Sequence, residues 1–71
     1  MGTIIDAEAL FVSALQPSDQ PTTEQVQAAI STALRHCGGP DGCALALAAE
    51  FGEHPETAVA RMRWAIQVSA A

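Results

Sequence analysis

The sequence predicts an all-α fold, a small orthogonal bundle of four short helices. Three observations carry this. Apolar residues recur at three- and four-residue spacing in four separate stretches, the signature of helical faces. No stretch alternates with period two, as a half-buried strand would. Proline and glycine punctuate the chain between the stretches, in PSDQP at 17–21, in GGPDG at 38–42, and at Gly52 and Pro55. With 71 residues, no internal repeat and no long linker, the chain reads as one helical domain over 1–71.

The first helix is expected near Ile4–Gln16. Thr3 can cap it, with Asp6 in the reciprocal box position, and Pro17 ends it. Its main stripe is Ile4, Phe11 and Leu15, with Ala7, Leu10 and Ala14 alongside. Ile5, Ala9 and Val12 lie on the other side, so this helix looks apolar on two faces. The second helix is expected over Thr23–Cys37. Thr22 and Gln25 form a capping box in front of it. Val26, Ile30, Ala33, Leu34 and Cys37 make one apolar stripe, and Glu24, Ala28, Ser31, Thr32 and Arg35 face away, so it should lie with one side wet.

Gly38 stops that helix, and the third is expected near Gly42–Phe51 with Asp41 as its cap. Cys43, Ala44, Leu47, Ala48 and Phe51 should point inward and Leu45 outward. Gly52 suits the left-handed position after the helix. Pro55 suits the first turn of a fourth helix near Pro55–Ser69, with His54 before it and Glu56 at its positive end.

The fourth helix has two apolar faces. Val59, Met62 and Ile66 form one stripe, flanked by Ala58 and Ala65. Trp64 lies almost opposite, in line with Ala60 and Val68, with Arg61 and Arg63 on the flanks. So short a chain can hardly enclose a helix on every side. The Val59 stripe therefore reads as core, and the Trp64 stripe as a contact surface, unless the indole folds back into the core as tryptophan commonly does.

Composition limits the function. The net charge is −5, from eight acidic residues and three arginines, which disfavours nucleic acid and anionic membrane as partners. No apolar run approaches the ~20 residues of a membrane span, and the N-terminal stretch is interrupted by Asp6 and Glu8, unlike a signal peptide. A cytoplasmic chain with reduced thiols is expected. Lys, Asn and Tyr are absent and alanine occurs fifteen times, a usage that fits a GC-rich bacterial genome.

Few residues are placed to carry chemistry. Cys37 and Cys43 stand at facing helix ends across GGPDG; buried thiols rank ahead of a disulfide there. His36, Cys37, Cys43 and His54 would supply four zinc ligands, but their spacing matches no zinc signature, so no metal is expected. Nothing marks an oxyanion site or a phosphate loop. Neither a catalytic residue nor a cofactor is expected, and the chain reads as a non-enzyme.

Leu47, Ala48, Phe51, Gly52, Val59 and Met62 follow the order of core and turn residues in a helix-turn-helix. The segment LAAEFGEHPETAVARMRWAI resembles the DNA-reading helix pair of sigma-factor region four, which implies a transcriptional regulator. Its charge argues otherwise: Arg61 and Arg63 are the nearby cations, with Glu50, Glu53 and Glu56 on the approach. The whole chain, with LFVSALQPSD and EFGEHPETAVARMRW, is similar to short actinobacterial helical proteins of no assigned activity, a resemblance that implies no site residues.

The leading expectation is a protein–protein interaction module, a homodimer or a regulatory adaptor. Ile5, Val12, Leu45, Trp64 and Val68 lie off the core stripes. Trp64, Arg61 and Arg63 would anchor the contact, with Ala60 and Val68 beside them, since aromatic and arginine side chains dominate interface energies. Trp64→Ala should then weaken association more than folding.

Overall fold

The computed structural model describes residues 3–70. Four helices follow in order: α1 over Ile4–Phe11, α2 over Thr23–Cys37, α3 over Pro40–Glu53 and α4 over Pro55–Ala70. A single 3₁₀ turn, Pro17–Asp19, lies between α1 and α2. No strand occurs among the described residues. α1 and α3 each pack on all three other helices, and α2 and α4 meet mainly through them. The all-α bundle is thus observed.

Both capping boxes form as the sequence predicts. Thr3 accepts from the Asp6 N–H while Asp6 accepts from the Thr3 N–H. Thr22 and Gln25 exchange the same pair of bonds. α2 has the expected bounds and burial: Val26, Ile30 and Ala33 are buried, Leu34 and Cys37 half-buried, and the Glu24 face is exposed. Gly38 ends it at φ 79°, the left-handed region that glycine adopts without strain.

α1 is shorter than expected. It stops at Phe11 rather than near Gln16. The Ser13 hydroxyl donates to the Leu10 carbonyl at 2.6 Å and accepts from the Leu15 N–H. These side-chain bonds offer the backbone an alternative to the next helical turn. The inward residues also differ. Ala7, Ala9, Leu10 and Phe11 are buried, whereas Ile4 is 62% exposed. A helix of eight residues with three neighbours buries its middle all round and leaves its first turn in water.

α3 starts and ends differently from the sequence expectation. Its N-cap is Gly39, at φ 109°, with Pro40 at the first position; Asp41 lies in the first turn instead of capping. Proline there loses no helical bond, so the helix begins at the proline. Gly52 does not terminate it. The helix continues through Gly52 to Glu53, and the break falls on His54, whose N–H bonds the Glu50 carbonyl. Pro55 blocks further propagation by its ring and missing N–H. Ala48, expected inside, is exposed, while Leu47 and Phe51 are half-buried against the core. Phe51 stacks on Phe11 with ring centroids 5.8 Å apart.

Candidate interaction surface

The fourth helix is rotated relative to the sequence expectation. Ala58, Ala65 and Ser69 are buried, so its innermost line consists of small residues. Val59 and Ile66, expected in the core, are 41% and 48% exposed. Met62 is half-buried between the two faces. The physical reason is close approach. Small side chains let a helix pack closely, and α4 turns its small residues toward the bundle, where it packs against α1 and α3. A reading that follows the largest apolar residues misses such a seam, because alanine adds little to an apolar stripe.

Arg61 holds the same rotation. The early end of α1 leaves carbonyls without helical partners. The Arg61 side chain donates its Nε–H to the Phe11 carbonyl at 2.6 Å and Nη2–H bonds to the carbonyls of Ser13 at 3.0 Å and Leu15 at 2.8 Å. Cations are also favoured at a helix C-terminus by the peptide dipoles. The guanidinium carbon stands 5.0 Å from the centre of the Trp64 ring and 5.8 Å from that of Phe11. Burial lowers the Arg61 pKa, though a guanidinium stays charged at any ordinary pH.

The residues singled out from the sequence therefore separate. Arg61 is turned inward and spends its donors on its own chain. Trp64 and Val68 are half-buried and pack against the core. Ala60 and Arg63 are exposed. The outward face of α4 carries Val59, Arg63 and Ile66, with Ala60 and Met62 at its edges. Removal of the indole would open packing around Arg61, so Trp64→Ala is expected to cost folding stability. Leu45, at 75% exposed, stands in water on α3 as the sequence predicts, and Ile5 is exposed too.

Beyond Glu56, α4 carries no acidic side chain. All eight carboxylates lie at or before Glu56, and the rest of α4 holds only Arg61 and Arg63 as charges. The stripe Pro55, Val59, Met62, Ile66 follows four-, three- and four-residue steps, the spacing of a coiled-coil seam.

The four candidate zinc ligands are not assembled: among the described residues no three His, Cys, Asp or Glu side chains gather into a metal-sized group. No described helix is long and apolar enough to cross a membrane. Comparisons of the chain with protein-family models, with curated proteins and with solved structures returned no match.

Proposed function

We propose that the chain is a non-enzymatic interaction module that pairs with a second copy of itself through the outer face of α4. The observation that carries this reading is the exposure of Val59 and Ile66 in one seam on a well-formed helix. A seam with heptad steps is complementary to another like it, because each large side chain finds a hole between four residues of the facing helix. Charge supports the same occupant. Two chains of net charge −5 repel each other overall, and α4 beyond Glu56 adds no carboxylate to that repulsion. Symmetric dimers are also the commonest assembly of soluble chains.

The helix-turn-helix reading has less behind it. The glycine that should make its turn is helical, and Arg61 is occupied by carbonyls. Arg63 is then the one exposed cation on α4 for phosphate.

Sedimentation equilibrium from micromolar to millimolar concentration tests the pairing. Wild type should run as a dimer at the upper end. Ile66→Glu should run as a monomer at the same concentration with unchanged helical circular dichroism, because its side chain lies outside the core. Leu45→Glu, on a different helix, should still dimerise. A wild-type chain that stays monomeric at millimolar concentration overturns the proposal.

A further inference from the structure

The corner between α2 and α3 brings the two cysteines together. Cys37 is the last residue of α2 and Cys43 lies at the start of α3. The close contact is built by Gly42: a Cβ placed there would stand 1.7 Å from the Cys37 carbonyl oxygen and 3.3 Å from the Cys37 Cβ. Gly38 and Gly39, both at positive φ, supply the tight reversal that folds one helix end onto the other.

The two thiols differ in access. Cys43 is 1% exposed and its Sγ–H points to the Ala33 carbonyl at 3.6 Å. Cys37 is half-buried and lines an open cleft of about 510 Å³ between α2 and the segment after α1, shared with Val12, Leu15, Ala29, Thr32 and His36. A small thiol reagent can therefore reach Cys37 but not Cys43.

We propose that Cys37 and Cys43 are an attacking and resolving thiol pair that a low-molecular-weight disulfide converts into an intramolecular disulfide across the α2–α3 corner. In the first step Cys37 gives its proton to solvent and its sulfur attacks one sulfur of the reagent. The reagent's S–S bond breaks and one small thiol leaves, taking up a proton. In the second step Cys43 loses its proton and attacks the Cys37 sulfur of the mixed disulfide. The second small thiol leaves, so one dithiol and one small disulfide become one protein disulfide and two small thiols. Burial, the adjacent Cys37 thiol and Glu8 push the Cys43 thiol up to about 11. That makes Cys43 the slower nucleophile and fixes the order of attack, and its poor leaving ability slows reduction of the finished disulfide by attack at the accessible Cys37 sulfur, the step that would expel Cys43.

Intact-mass spectrometry of the native protein treated with oxidised glutathione tests this. Wild type should pass through a single glutathione adduct and end lighter than the starting chain by two hydrogens. Cys43→Ser and Cys43→Ala should both stop at the adduct; the alanine variant keeps the site small and apolar should the serine disturb folding. Cys37→Ser should add glutathione at least about tenfold more slowly, as its remaining thiol is shielded until the corner opens. A wild-type chain that accumulates the adduct without closing, or that never reacts, overturns the proposal. Equal reaction rates for the Cys37→Ser and Cys43→Ala variants, with native circular dichroism, would overturn it as well.

Discussion

Arg61 joins two parts of the chain about fifty residues apart in sequence, and its three bonds satisfy the Phe11 carbonyl at the end of α1 and the Ser13 and Leu15 carbonyls of the segment that follows. Hydrogen bonds to a charged donor contribute more than neutral ones, and carbonyls left unpaired in a half-buried site add their own cost. Arg61→Met keeps much of the stem and removes the donors. It is expected to lower stability by roughly 2–4 kcal/mol, seen as a reduced midpoint in urea unfolding. Arg61→Lys should restore only part, because one ammonium cannot span three carbonyls as a planar guanidinium does. Trp64 shares this role through the guanidinium over its ring, a contact worth about 1 kcal/mol where partly shielded from water.

At the scale of the element, two glycines separate clearly. Gly52 lies inside α3 with nothing within 4 Å of an added Cβ and with ordinary negative φ. Gly52→Ala should therefore stabilise the protein by roughly 0.5–1 kcal/mol, since it restricts the unfolded chain and favours the helix. Gly42 sits against the end of α2, where a Cβ would collide with backbone. Gly42→Ala should destabilise by about 1–3 kcal/mol, as overpacking does. Chemical denaturation of the two variants side by side reads both signs. Opposite effects of one substitution in one helix would show that α3 is anchored at its start and free at its end. The same contrast explains α4: its orientation follows from the small residues Ala58, Ala65 and Ser69 that face the bundle, and its bulkier Val59 and Ile66 are left outside.

For the molecule as a whole, size is the controlling quantity. Among the described residues the buried core consists of ten, five of them alanine and one cysteine, so little apolar volume is enclosed. A chain of this length gains only about 3–5 kcal/mol from one core and is commonly supported by a second subunit. Pairing through α4 would add that support by mass action. The thermal midpoint of wild type is thus expected to rise with protein concentration, while that of Ile66→Glu stays constant; differential scanning calorimetry over a hundredfold concentration range checks this. A wild-type midpoint independent of concentration would separate stability from association.

The all-α class, the bounds of α2 and both capping boxes were legible in the sequence, because they depend on neighbours within four residues: a threonine oxygen and a backbone N–H, or apolar side chains one turn apart. The outward position of Leu45 was legible for the same reason. Only the tertiary structure decided which side of α4 faces in, because that rests on the small residues Ala58, Ala65 and Ser69 packing into the bundle and on one guanidinium reaching the open end of another helix. It also decided how the Phe11 carbonyl at the end of α1 is satisfied, since its donor, Arg61, comes from α4. Local periodicity records how residues line up along one helix; it carries no information on how near a second helix can come.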